Sequence, residues 1–149
     1  MPVAGLRNRF PFFQSLQTDE VEQFLSYCRR LRAEAGTNLW QEGDADNFAA
    51  FILDGKLGIK KRTEFGGSQV IVGLYAPGSV VGELCLLTSN PRSVTAEVIE
   101  TADLLLLHSQ NFEEMLGNHS QLGIALLRHI FVTTARRLTK SYERIASVF

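Results

Sequence analysis

Hydrophobic positions fall into three regimes along the chain. Behind Thr18, Asp19 and Glu20, the residues Val21, Phe24 and Leu25 recur at three- and four-residue spacing. This predicts a short amphipathic helix over about 18–28, capped at Thr18 with its acids at the positive helix end. From 30 to 108 the apolar residues gather into short or alternating runs at 38–40, 48–53, 56–61, 70–75, 94–99 and 104–107, each predicted to be a strand. Gly36, Glu42-Gly43-Asp44, Asp54-Gly55, Phe65-Gly66-Gly67-Ser68 and Ala76-Pro77-Gly78 divide them with residues suited to tight turns. Many short strands at this spacing predict a sandwich or barrel.

After Ser109 the helical period returns, first in a short segment ending near Gly117-Asn118 and then from about Ser120 to the end. Within the second segment Ile124, Leu127, Phe131, Thr134, Leu138, Ser141, Ile145 and Val148 are spaced alternately three and four apart, as in a coiled-coil seam. A helix of nearly thirty residues is about 40 Å long, more than one small barrel covers, so its free part is predicted to pair with a second chain. The alternative is a helix lying on its own β-domain. The pattern as a whole predicts an α+β fold. Its centre is an antiparallel β-roll or jelly-roll barrel, flanked by a short N-terminal helix and a long C-terminal helix.

Length and composition add limits rather than a partner. The 149 residues predict one domain, 1–149, in three parts: an N-terminal helical segment 1–29, the roll 30–108 and the C-terminal helices 109–149. A hydrophobic fraction of 45% and a charged fraction of 21% are ordinary for a soluble protein. No apolar run approaches the roughly 18 residues of a membrane helix, and Met1-Pro2-Val3-Ala4-Gly5-Leu6-Arg7 lacks the core of a signal peptide. A net charge of −1 gives no general attraction to nucleic acid or to anionic lipid, so any anion site must be local.

Cys28 and Cys85 form neither a CxxC pair nor a metal-spaced cluster, which fits a reducing cytoplasm. His108, His119 and His129 are scattered and are assigned no chemistry. There is no metal-ligand cluster, no nucleophile beside a histidine and no GxxxxGK phosphate loop, so no enzyme, cofactor or metal site is predicted.

Chemistry concentrates in 78–96, which combines a glycine turn, one helical turn, a second turn and a strand. Gly82 lets the backbone approach a ligand, a one-turn helix from Glu83 presents its first amides outward, and Arg92 offers a fork of donors suited to phosphate oxygens. A carboxylate beside a phosphate needs a donor of its own, and a sugar hydroxyl next to that phosphate supplies one. Together Glu83 and Arg92 therefore point to a sugar phosphate. The competing reading is a surface ion pair between them.

In this segment the sequence resembles the cyclic-nucleotide-binding domain family, catabolite activator-like and kinase regulatory subunit-like. The likeness rests on Gly82-Glu83-Leu84 with Leu86, on Pro91-Arg92-Ser93, on Pro11-Phe12-Phe13 with Leu16, on Gly36 and Glu42-Gly43-Asp44, and on Phe51-Ile52-Leu53-Asp54-Gly55. It implies that Glu83 accepts from the ribose 2′-hydroxyl and that Arg92 pairs with the cyclic phosphate. By the same likeness Gly82 and the amides of Leu84, Cys85 and Ser93 complete the cradle within a cassette 82–94.

Val94 departs from the alanine usual there and is expected to narrow the pocket or to shift a backbone amide that faces the phosphate. Ala135-Arg136-Arg137-Leu138 resembles the catabolite activator helix, which implies that Ser141 and Tyr142 contact the base from both chains of a homodimer. For Tyr142 an exposed, seam-flanking aromatic is an equal reading. cAMP is favoured over cGMP, with Ser93 compatible with either.

The expected function is a non-catalytic sensor whose ligand shifts its final helix, with a partner effector protein a further possibility. A ligand-independent dimerisation module, or the sensor part of a transcription regulator without its DNA reader, is the alternative. Arg136, Arg137, Lys140 and Arg144 make a basic stretch, but nucleic-acid binding by this chain alone is not expected.

Overall fold

The computed structural model describes residues 3–149. Met1 and Pro2, which open the segment judged to lack a signal peptide, lie outside the described residues. Three helices come first: α1 (Val3–Arg9), α2 (Pro11–Gln14) and α3 (Thr18–Ser26). Six strands follow: β1 (Arg29–Ala33), β2 (Asn38–Trp40), β3 (Phe48–Arg62), β4 (Gln69–Tyr75), β5 (Val80–Val81) and β6 (Thr95–His108). A single 3₁₀ turn, Glu83–Leu86, stands between β5 and β6, and α4 (Ser109–Asn118) and α5 (Ser120–Ala146) close the chain.

The sheet is antiparallel in the order β1-β6-β3-β4, with β2 added to β6 and β5 to β3, so it is an open roll and not a closed barrel. Two long strands form its spine where the turn signals predicted four short ones. Asp54-Gly55 does not reverse the chain. Register shifts between Ile52 and Lys56 absorb it as bulges opposite Glu100–Asp103, with Gly55 at φ +87°. Glycine is required there because a Cβ would lie 2.6 Å from the Cα of Ala102. The strand β1, Arg29-Arg30-Leu31-Arg32-Ala33, was not among the predicted strands; its arginines hide a strand that pairs with residues 102–106 of β6.

The apolar runs are continuous because both faces of the spine are buried. Ala49, Phe51 and Leu53 of β3, with Leu105 and Leu107 of β6, face the helical layer of Phe10, Phe13, Phe24, Phe112 and Leu126. Ala50, Ile52, Leu57, Leu104 and Leu106 face the interior of the roll with Trp40 and Val98. In the helical layer Phe13–Phe24 and Phe24–Phe51 meet edge to face, with centroids 5.2 and 5.4 Å apart. Each buried phenyl contributes about 1.5–3 kcal/mol of transfer free energy.

Helix α3 begins at Thr18 itself, one residue earlier than a cap at Thr18 would place it. Gln17 is the cap residue, and its amide donates to Glu20 Oε1 at 2.9 Å. Helix α5 packs on the body through Leu122, Gly123 and Leu126. Beyond Ile130 nearly every residue of it is exposed except Thr133 and Arg137. The predicted seam is divided: Phe131 is 74% exposed, and Leu138, Ile145 and Val148 are exposed as well, whereas Leu127 packs against the body and Thr134 reaches Glu83. No helix of the described residues is long and apolar enough to cross a membrane.

Candidate functional site

Gly82 ends β5 and caps the 3₁₀ turn in the left-handed region, at φ 74° and ψ 22°. A Cβ at this position would come within 2.7 Å of both Arg92 Nη1 and the Trp40 ring. Glycine therefore serves the turn and the approach of two side chains at once. The amides that open the turn have no acceptor within it, and the turn buries Cys85 and Leu86 while leaving Leu84 and Leu87 outside.

Arg92 is 7% exposed, and none of the five ion pairs among the described residues includes it. Its guanidinium lies 3.7 Å over the Trp40 ring and 5.0 Å from that of Phe48. Nη2 donates to the Phe48 carbonyl at 2.6 Å and Nη1 to the Gly82 carbonyl at 3.4 Å, whereas Nε has no partner. Burial lowers the pKa of this guanidinium, opposed by the nearby Cys85, Asp46 and Asp44. The group stays cationic at neutral pH, because an arginine starts so high. A cation–π contact of this kind is worth up to about 2 kcal/mol when desolvated, less than the cost of burying an unpaired charge. The site thus holds a buried cation with no carboxylate in ion-pair contact among the described residues.

The backbone of Arg92 is pinned by the turn 41–44: Gly43 N–H donates to the Arg92 carbonyl and Arg92 N–H to the Asp44 carbonyl, both at 2.8 Å. Ser93 is exposed, and its carbonyl accepts from Lys61 Nζ at 2.7 Å. Lys61 in turn pairs with Glu42 at 3.4 Å. Cys85 is buried and its thiol donates to the Gly82 carbonyl at 2.9 Å. Burial pushes that thiol upward against the pull of Arg92, and Cys28 is pushed up to about 12. Neither cysteine is a ready thiolate.

Two adjoining clefts open here, of about 170 and 200 Å³, and share Trp40, Gly82, Leu84, Ser93 and Val94. Together they reach the range of small-ligand pockets, which begins at about 300 Å³. The first also touches Cys85 and Arg92, the second Glu83, Tyr75 and Arg137. Seven of the nine residues picked from sequence, Gly82, Glu83, Leu84, Cys85, Arg92, Ser93 and Val94, therefore converge on one recess. Ser141 and Tyr142 line neither cleft; both are exposed, and the Ser141 hydroxyl donates to its own helix at the Arg137 carbonyl.

Glu83 faces α5. Thr134 Oγ1 donates to its carboxylate at 3.5 Å and Arg137 Nη1 stands 3.8 Å away. Arg137 also donates to the Val80 carbonyl at 3.3 Å and lies 4.7 Å from the Tyr75 ring centroid. Two further residues of the recess, Trp40 and Arg137, are not among the nine picked from sequence; Arg137 stands there only in a basic stretch. The signals were present: Arg137 follows Ile130 and Thr133 at helical spacing on the inward face, and Trp40 is the sole tryptophan.

A chain whose spine, glycine turn and buried arginine are arranged in this way has recognisable relatives. The cyclic AMP receptor protein of Thermus thermophilus is 31% identical over 132 residues, which is 88% of this chain and 58% of that protein. The chain thus spans rather more than half the length of this relative. A cyclic nucleotide-binding domain from Methylobacillus flagellatus has the same fold, with a TM-score of 0.86 over 99% of this chain and 85% of that one at 22% identity. The regulatory domain of Toxoplasma gondii PKA, solved with cAMP, superposes with a TM-score of 0.63 at 28% identity, covering 75% of this chain and 42% of that one. The family profile described as cyclic nucleotide-binding domain covers residues 30–119, and thus both the strands and the turn that bring Gly82, Glu83 and Arg92 together. With that span matched, the chain belongs to the cyclic nucleotide-binding domain family.

Proposed function

We propose that this protein is a non-catalytic regulatory domain that binds a cyclic nucleotide, cAMP in preference to cGMP, and couples binding to the pose of α5. The observation that carries this reading is the buried guanidinium of Arg92, which lines the recess and belongs to no ion pair among the described residues. A cyclic phosphate supplies the missing charge, and the free amides at the start of the 3₁₀ turn supply further donors. Glu83, in the adjoining cleft, accepts from the ribose 2′-hydroxyl. Val94 lines both clefts.

Coupling follows from what Glu83 touches now. Its contacts to Thr134 and Arg137 join the turn to α5, and a ribose hydroxyl competes for the same carboxylate. A ligand that binds one pose of α5 better than another shifts the helix by the difference in affinity. Ser141 and Tyr142 reach the base only when α5 moves or when a second copy supplies them. The exposed part of the seam on α5 supports a homodimer, and the output passes to a partner effector.

Calorimetry of the purified protein with cAMP and with cGMP tests the reading, with Arg92→Ala as control. Heat from cAMP that disappears in the variant supports it, and no heat from either nucleotide up to millimolar concentration overturns it. The second reading, a dimerisation module that works without ligand, is favoured by Val94. Under it the dimer persists with an empty recess and ignores nucleotide.

A further inference from the structure

Trp40 is 2% exposed and closes β2. It lines both clefts, and its Nε1–H has no hydrogen-bond partner among the described residues. It also meets Phe48 edge to face, with centroids 5.4 Å apart. The face of its indole lies 3.7 Å from the Arg92 guanidinium, closer than any other aromatic ring. Three constraints thus hold the fork in one plane: the Trp40 ring, the Phe48 carbonyl and the Gly82 carbonyl. The carbonyls accept from Nη2 and Nη1 at the edge of the guanidinium, and the Trp40 ring lies against its face.

Resting on the cyclic-nucleotide reading above, we propose that Trp40 is a positioning residue for phosphate capture. It holds the plane of Arg92 in the orientation in which its donors meet the ligand's phosphate, before any ligand arrives. A planar cation stacked on an indole loses few conformations when it binds, whereas an unstacked arginine must first be ordered. Trp40 then raises affinity through Arg92 and not through contact with the base.

The test compares Trp40→Phe, which keeps a π face, with Trp40→Met, which keeps an apolar side chain without one. Each is titrated with cAMP by calorimetry in the wild-type background and in an Arg92→Lys background, with far-ultraviolet circular dichroism confirming the fold. We expect Trp40→Met to weaken cAMP binding roughly tenfold, and Trp40→Phe by about threefold or less, because a cation–π contact spans this range. In the Arg92→Lys background, where no planar fork remains, both substitutions should change affinity by about twofold or less, the non-additivity of residues that act as one unit.

Equal losses in both backgrounds, or equal affinity of the Met variant and the wild type, overturn the positioning role and leave the cyclic-nucleotide reading standing. A wild-type protein that binds no cyclic nucleotide overturns both. If Trp40→Met fails to fold, Trp40→Phe against Trp40→Leu decides the same comparison.

Discussion

A Cβ on residue 82 would stand 2.7 Å from Arg92 Nη1, so the backbone of Gly82 and the cation of Arg92 occupy space that only glycine leaves free. Positive φ at the same residue adds a second barrier to any side chain. Gly82→Ala should therefore displace the guanidinium or unwind the turn. We expect cAMP binding to fall by at least tenfold and stability by about 1–3 kcal/mol, the cost of a non-glycine residue in a strained conformation. Urea unfolding alongside calorimetry reads both. A variant that binds normally contradicts the packing argument.

Arg137 joins α5 to the roll through Glu83, the Val80 carbonyl and Tyr75. Arg137→Ala should release the middle of α5 while leaving the core intact. Because the side chain is partly exposed, the loss of stability should be small, about 1 kcal/mol or less. Hydrogen exchange should quicken at residues 131–140 and remain unchanged in β3 and β6. Unchanged exchange in α5 would show that other contacts hold the helix.

Phe131 and Leu138 are exposed on α5. A glutamate at either position meets water in a single chain, so stability should change by no more than about 0.5 kcal/mol. If α5 pairs with a second copy, Phe131→Glu should halve the mass seen by analytical ultracentrifugation. A wild-type protein that sediments as a monomer at high concentration contradicts the homodimer.

His129 stacks beside Phe12 with centroids 5.4 Å apart, and burial, then Arg136 and Arg137, lower its pKa from the ordinary 6.5. The folded state therefore takes up its proton at lower pH than the unfolded state does. Above pH 6.5 both states are neutral at this residue and it adds no pH dependence. As pH falls below 6.5 the unfolded state binds the proton first and stability declines, levelling once the folded histidine is also charged. Thermal unfolding from pH 7.5 to 5 should show this slope, and His129→Gln should flatten it. An equal slope in the variant would assign the effect to other groups.

Most of the elements were legible in sequence because they depend on local periods. The runs Phe48-Ala49-Ala50-Phe51-Ile52-Leu53 and Leu104-Leu105-Leu106-Leu107 read as strands, and the long spacing after Ser120 as a helix. Their joining into two long strands was not legible. Asp54-Gly55 looks the same in a hairpin turn and in a bulge, and only the opposing residues Glu100–Asp103 decide between the two. Strand β1 was missed for a related reason. Arginines such as Arg29 and Arg30 suit an exposed edge but carry no strand period of their own.

The sequence by itself determined the apolar strand runs, the glycine turn and the presence of Glu83 and Arg92 in one short segment, because residues near in sequence and constrained in φ leave few arrangements. Tertiary structure alone decided what surrounds them. Trp40 lies under Arg92 because β2 pairs with β6, and Arg137 reaches Glu83 because Leu122 and Leu126 dock α5 on the body. Those contacts span 52 and 54 positions of the sequence. They are set by the packing of both core layers at once, and no local pattern encodes them.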